Sequence, residues 1–217
     1  MEHIGEVLAS KSRQTLTALP ISNIDREPTE AEILEQDRKM LGLTNWQHTF
    51  DKFNVLPGTQ KTFNSVKALA EGKHQPMLLI CGGLGNGKTY LCEAVSISLY
   101  KKGVKCKVWL WSDLRRWLLQ LMHRPQPNLP TYDTYFDRLR NSPRLIIDDF
   151  GMGSKGSEWE IGEIEDIINY RYRERLFTLM TTNRTLEELP ARIVSRFFDP
   201  EVSEIIINEG KDYRIKK

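Results

Sequence analysis

The sequence predicts an α/β protein with a mostly parallel five-stranded sheet lying between helices. Three observations carry this expectation. Short apolar runs alternate with stretches of helical periodicity along most of the chain. The first clear strand, residues 77–81, opens directly into a glycine-rich turn and then a helix. A later apolar run, Leu145-Ile146-Ile147, ends in two aspartates, as expected of a strand that delivers carboxylates to one edge of a sheet. Parallel strands need long crossovers, and the intervening helices supply them while covering both faces.

Taken in order, residues 1–19 have the spacing of an amphipathic helix, with Ile4, Val7, Leu8, Leu16 and Leu19 apolar. Residues 20–28, bounded by prolines, read as a linker. A charged helix starts at Thr29-Glu30-Ala31-Glu32, whose acidic first turn suits the helix dipole. The segment 1–40 is too short to bury a core of its own. It either packs on the domain that follows, 41–217, or docks on a partner.

Within that domain, residues 60–71 form a helix on the repeat of Phe63, Val66, Lys67 and Ala70. After the strand at 77–81, residues 90–102 contain neither Gly nor Pro and place Leu91, Ala94, Val95 and Ser98 at helical spacing. Residues 104–111 form the next strand, alternating Val104, Cys106, Val108 and Leu110 with Lys105 and Lys107. Ser112 or Asp113 then caps a helix whose stripe is Leu114, Trp117, Leu118, Leu121 and Met122. Residues 124–130, with three prolines, are a loop, and 131–140 a short helix. The strand at 145–147 is followed by a helix over 158–175 that turns Ile161, Ile164, Ile167, Ile168 and Tyr172 inward. A strand at 177–182, a short helix holding 192–197 and a strand at 203–208 complete the five.

The composition bounds function. With 217 residues, 40% hydrophobic and 28% charged, the chain fits one large domain, or one domain with a short appendage, and buries a real core. A net charge of +2 implies neither a nucleic-acid nor a membrane partner, so any basic patch must be local. No apolar run approaches a membrane span, and the first residues do not read as a signal peptide. Cys81, Cys92 and Cys106 lack metal-ligand spacing and read as small buried hydrophobes in a reducing compartment. The expected location is the cytoplasm.

The chemistry centres on Gly82-Gly83-Leu84-Gly85-Asn86-Gly87-Lys88-Thr89, which matches G-x-x-x-x-G-K-[ST], with Tyr90 directly after it. Glycines let successive N–H groups curl around an anion, and the helix N-terminus adds partial positive charge. Lys88 is placed to reach β- and γ-phosphates and the Thr89 hydroxyl to ligate Mg²⁺, so the loop points to a nucleoside triphosphate. Asp148, at the end of the 145–147 strand, is the candidate second holder of Mg²⁺. Asp149 stands where a carboxylate polarises the attacking water. Asn183, ending the run Thr181-Thr182-Asn183, arrives at the same edge with a neutral amide that orients water or contacts the γ-phosphate. Arg192 and Arg196 lie four apart on one helical face, either as local ion pairs or as a guanidinium offered to a neighbouring subunit. Arg214 is equally open. Lys101, Lys102, Lys105, Lys107, Arg115 and Arg116 cluster with Trp109, Trp111 and Trp117, either as a single-strand-binding surface or as a solvated face with Trp117 in the core.

In order along the chain, Thr49-Phe50-Asp51-Lys52-Phe53, GGLGNGKT, LIIDDFG, INYRY, TTN, RIVSRF and DYR resemble the AAA+ ATPases of the DnaC/DnaI/IstB group, the helicase loaders and their transposition relatives. The resemblance covers roughly residues 45–215. It implies an AAA+ P-loop fold, ATP and Mg²⁺ as ligands, weak ATP hydrolysis that rises on assembly or DNA binding, and self-association through ATP sites shared between subunits. It also implies that Asn183 is the sensor-1 position, Arg196 the arginine finger, Arg192 an accessory arginine and Arg214 a sensor-2-like arginine. Phe50 and Phe53 would lie near the adenine. Three departures matter. Asp149 stands where most AAA+ proteins carry Glu. The chain stops soon after Arg214, so no C-terminal helical lid domain is expected. The N-terminal segment lacks the cysteine cluster of zinc-bearing loaders and is shorter than the transposition type carries. These favour a compact DnaC-like loader, of phage or prophage type, that binds a replicative helicase and single-stranded DNA with no membrane partner. The alternatives are an IstB-like transposase helper and, outside the group, a small P-loop kinase.

Overall fold

The computed structural model describes residues 28–123, 128–151 and 158–213. The expected helix over 1–19, the linker up to residue 27 and Arg214 lie outside them. The chain divides into two units, Met1–Leu34 and Glu35–Lys217. The division falls inside the first helix, α1 (Glu30–Met40). In the first unit Thr29 begins α1 with a capping box. Its hydroxyl accepts from the Glu32 N–H at 3.3 Å, and its own N–H donates to the Glu32 carboxylate at 2.8 Å. In the second unit the last turns of α1 are bound into the domain. Asp37 accepts from the Tyr100 hydroxyl and from Lys105 Nζ at 3.1 Å, and Arg38 donates to the Leu43 carbonyl at 2.6 Å.

The second unit continues with α2 (Gln60–Ala70), β1 (Met77–Gly82), α3 (Lys88–Tyr100), β2 (Val108–Leu110), α4 (Trp111–His123) and α5 (Tyr132–Asn141). Then come β3 (Arg144–Asp148), α6 (Glu158–Arg173), β4 (Phe177–Thr182), α7 (Ala191–Phe197) and β5 (Ser203–Asn208). The five strands pair in the order β2-β3-β4-β1-β5, every pair parallel. Successive β1 residues part to opposite faces. Met77, Leu79 and Cys81 join a core with α4 to α7, whereas Leu78 and Ile80 pack with α2 and α3. Strands buried on both faces explain why β1 reads as an unbroken apolar run.

Register sets the functional edge. Cys81 lies beside Thr182 and Ile207, and Gly82 beside Asn208, while Ile147 lies beside Met180. Asp148 therefore comes out level with Thr181. The carboxyl ends of β1, β3, β4 and β5 finish together at the start of α3.

Two expected elements change. The strand over 104–111 contracts to Val108–Leu110, because its first half bonds elsewhere. The Val104 N–H goes to the Leu99 carbonyl, the Cys106 carbonyl accepts from the Ser96 hydroxyl at 2.6 Å, and the Val108 N–H goes to the Leu41 carbonyl. Helix α4 begins at Trp111, so Ser112 and Asp113 lie inside its first turn rather than capping it. Trp111 is pulled inward by its edge-on packing against Phe150, 5.0 Å between ring centres. Arg171 on α6 is wholly buried, where a surface residue would be expected. Its guanidinium donates to the carbonyls of Leu139, Arg140, Ser142 and Phe177 and to the Thr178 hydroxyl, tying the end of α5 to the start of β4. No helix among the described residues is long and apolar enough to cross a membrane.

Candidate active site

The turn between β1 and α3 has the shape the glycines permit. Gly85 and Gly87 take left-handed φ of 66° and 90°, which residues with a Cβ rarely adopt. Gly82 is needed for a different reason, since a Cβ there would lie 2.5 Å from the Asn208 carbonyl oxygen. The loop is anchored to β5 by a reciprocal amide pair. Asn86 Nδ2 donates to the Asn208 carbonyl and Asn208 Nδ2 to the Asn86 carbonyl, both at 3.0 Å. Both side chains are buried.

Lys88 begins α3 and is buried, with Nζ folded onto the loop. It donates to the carbonyls of Gly82 (2.8 Å) and Gly83 (2.6 Å) and to Asn86 Oδ1 at 3.1 Å. Burial pushes its pKa down, and the charges of Asp148 and Asp149 pull it back up. Such an ammonium gains by meeting an anion. Beside it the Thr89 hydroxyl donates to Asp148 Oδ2 at 2.7 Å. The other oxygen of Asp148, itself buried, accepts from the Thr181 hydroxyl.

Asp149 departs from the strand with φ of 54°, which turns its side chain out of the sheet line into an exposed position. Its N–H donates to Thr181 Oγ1 at 3.0 Å, and Asn183 Nδ2 donates to its carboxylate. Thr181 thus holds both aspartates, one through its proton and one through its lone pair. Lys88, Thr89, Asp148, Asp149 and Asn183 all line one cavity of about 640 Å³, together with Leu84, Gly85, Asn86, Gly87 and Tyr90. Gly82 and Gly83 stand behind it, contributing the carbonyls that Lys88 holds. No group of three or more His, Cys, Asp or Glu suited to a metal occurs among the described residues. The oxygen donors present, one hydroxyl and one carboxylate side by side, fit Mg²⁺, which takes few protein ligands and completes its shell with phosphate and water.

Other expected residues fall elsewhere. Phe50 is outside the cavity, its ring edge-on to Phe63 at 5.9 Å; Phe53, which stacks on Phe63 at 5.5 Å, is the ring that lines it. Arg192 is exposed and pairs with Glu165 at 3.4 Å. Arg196 Nε donates to Asn169 Oδ1 at 2.6 Å, with its guanidinium 5.3 Å from the Tyr172 ring centre, so neither arginine reaches the cavity of its own chain. The basic cluster is divided as well. Lys105 pairs with Asp37, Arg115 with Glu160 and Arg116 with Asp113, while Trp111 is buried and Trp117 packs on Tyr135. Lys107 lies 3.5 Å from the centre of the Trp109 ring, the one basic–aromatic pair of that cluster.

The fold also brings in residues that the motifs did not single out. His48, Asn54 and Tyr213 line the outer part of the cavity, and Thr181 and Asn208 support its floor. Thr181 was legible within the Thr-Thr-Asn run. Tyr213 lies in the Asp-Tyr-Arg run that carried the resemblance, though no role was given to it, whereas His48 and Asn54 carried no signal, since only folding sets them beside the loop.

No family model matches the chain. It is 30% identical over 158 residues to the chromosomal replication initiator protein DnaA of Nautilia profundicola, covering 70% of this chain and 34% of that protein. It spans between a third and two fifths of the length of such curated relatives. Among solved structures it matches the replication initiator DnaA bound to AMPPCP and single-stranded DNA, with a TM-score of 0.65 at 23% identity over 77% of this chain and 51% of that one. It also matches the DnaC helicase loader, with a TM-score of 0.62 at 23% identity over 76% of this chain and 98% of that one. At these identities the agreement is one of fold, the AAA+ P-loop fold of bacterial replication proteins.

Proposed function

We propose that this chain, an AAA+ P-loop domain by fold, is an ATP-hydrolysing helicase loader that engages a replicative helicase and single-stranded DNA. One observation carries the ATPase part. A phosphate loop, a hydroxyl–carboxylate pair, a second carboxylate and an amide bound to it converge on a single cavity. In this reading Lys88 and the N–H groups at the start of α3 hold the β- and γ-phosphates. Thr89 and Asp148 hold Mg²⁺, which when bound neutralises developing charge on the phosphates. Asp149 accepts a proton from the attacking water, and Asn183 keeps its carboxylate aimed. Arg196, turned away from its own cavity, serves the site of a neighbouring subunit, with Arg192 accessory and Arg214 in the sensor-2-like role.

The loader part is supported by the match to the DnaC loader across 98% of that chain, against 51% of DnaA. Residues 1–40 are then the helicase-docking segment and 41–217 the ATPase domain. The Lys107–Trp109 pair is the natural place for a single strand to stack. The deciding experiment is a pull-down from the native host using chains with and without residues 1–40. A replicative helicase retained only by the longer chain supports the proposal, whereas a transposase in its place replaces it with the transposition reading. Phosphate release measured without any small-molecule acceptor separates both from a kinase.

A further inference from the structure

Asp148 and Asp149 are given different tasks above, yet one side chain bonds to both. Thr181, in β4, is wholly buried. Because Ile147 lies beside Met180, residue 181 meets the two aspartates as they leave β3. A hydroxyl has one proton and two lone pairs, and here the partners dictate the use of each. The Asp149 N–H, 3.0 Å away, can only donate, so Thr181 Oγ1 accepts there. The Asp148 carboxylate accepts, so the hydroxyl proton goes to its Oδ1. The Thr181 carbonyl adds a third hold on the same turn, accepting from the Phe150 N–H at 2.7 Å.

Each bond fixes something that the local chain leaves loose. An aspartate carboxylate turns broadly about its last torsion. In Asp148 that freedom is removed, because Oδ1 is taken by Thr181 and by the buried Cys92 thiol, 3.8 Å away, which turns Oδ2 to Thr89. Asp149 adopts its left-handed φ of 54°, a region that residues with a Cβ seldom enter, and the bonds to Thr181 hold the turn there. Asn183, two residues further along the chain, then fixes the Asp149 carboxylate. The end of β4 thus sets both the backbone and the side chain of the water-facing aspartate.

Resting on the reading of the cavity as a site for a triphosphate with Mg²⁺, we propose that Thr181 is the positioning residue that ties metal binding to water activation. It acts only through the aspartates. Its proton keeps Asp148 Oδ2 beside Thr89, where the two oxygens hold the metal together. Its lone pair keeps Asp149 in the turn from which the carboxylate takes a proton from water. Loss of this one hydroxyl therefore disturbs both tasks at once, whereas Asp149→Asn disturbs hydrolysis alone.

The test uses the full chain and the near-isosteric Thr181→Val, with Thr181→Ser as the rescue. Calorimetry of a non-hydrolysable ATP analogue, in Mg²⁺ and in EDTA, gives the affinity that the metal adds. In Thr181→Val that gain should fall by roughly 10-fold or more, the usual cost of losing a group that orients a metal ligand, while binding in EDTA, which draws on Lys88 and the loop, stays as in wild type. Turnover at saturating Mg²⁺ and ATP should fall by roughly 10- to 100-fold as well. Amide exchange followed by NMR reads the second bond directly. The Asp149 N–H should be protected in wild type and exchange roughly 10-fold faster in Thr181→Val, with Ile146 and Leu179 in the sheet unchanged. Thr181→Ser should restore all three. If Thr181→Val does not fold, Thr181→Ala takes its place with the same expected losses, and an unprotected Asp149 amide in wild type overturns the proposal without any variant. A wild-type Mg²⁺ gain in the variant overturns it. So does equal loss of binding with and without Mg²⁺, which marks a structural role, or a Thr181→Ser as impaired as Thr181→Val. If the wild type binds no nucleotide, the triphosphate-site reading itself fails, and the role of Thr181 falls with it.

Discussion

At the scale of single residues the site is a set of hydrogen bonds waiting for an anion. Lys88 spends its three protons on two loop carbonyls and Asn86. These neutral partners hold the ammonium less strongly than phosphate oxygens, whose full negative charge adds a coulombic attraction in a partly buried site. Lys88→Ala should therefore weaken ATP binding by roughly 10-fold or more, read by calorimetry against an unchanged thermal midpoint. Asp149 and Asn183 lie apart from that task. Asp149→Asn should bind ATP as well as wild type yet hydrolyse it roughly 100- to 10,000-fold more slowly, the span expected for a lost general base. Single-turnover phosphate release checks this. A loss of binding in Asp149→Asn equal to that in Lys88→Ala would remove the division of labour between Lys88 and Asp149.

At the scale of elements, buried polar groups fix how helices and strands meet. Arg171 answers four carbonyls, three at the end of α5 and one at the start of β4, from a position with no solvent access. Arg171→Met keeps the volume and orphans those carbonyls, so it should cost about 3 kcal/mol or more in urea unfolding, with nucleotide binding preserved in the fraction that folds. A softer tie joins α2 to the edge strand β5. Glu204 accepts from Lys61 at 2.9 Å, Ser65 at 3.0 Å and His74 Nε2 at 2.7 Å. Burial pushes the Glu204 carboxyl up, but Lys61, His74 and Ser65 outweigh it, so its pKa lies below the usual 4.5. A depressed folded pKa contributes stability that is full above the unfolded value and lost as pH falls through the folded one. Glu204→Gln should thus be less stable than wild type at neutral pH, with the gap closing below pH 4.5. Urea midpoints measured at both ends of that range test it.

At the scale of the whole molecule, the arginines divide by position. Arg196 packs against α6 on Asn169 and Tyr172, remote from the cavity that holds Lys88. It can serve a triphosphate only across a subunit boundary. Arg196→Ala should bind ATP normally as an isolated chain and lose the hydrolysis that rises with protein concentration, by roughly 1,000-fold for a finger that stabilises the transition state. Hydrolysis linear in protein concentration for the wild type, unaffected by Arg196→Ala, would confine that residue to its bond with Asn169.

The chain by itself determined the parallel α/β fold, the phosphate loop and the two aspartates. Each of these is local. An apolar run buried on both faces, a glycine forced to positive φ and a carboxylate at a strand end are written within a few consecutive residues. Even Asn183 was legible this way, as the polar end of an apolar strand. Tertiary structure decided what depends on distant segments. It set Glu93 against Thr44 and His48, and closed Asn86 on Asn208. It chose Phe53 over Phe50 as the cavity ring, and shortened β2 because Leu41 and Ser96 took its bonds. It also buried Arg171, since the carbonyls that require a cation there come from the end of α5 and the start of β4, far apart in the chain. Periodicity records which face of an element is apolar; which polar groups are left unmatched, and so demand a partner, is known only once the elements meet.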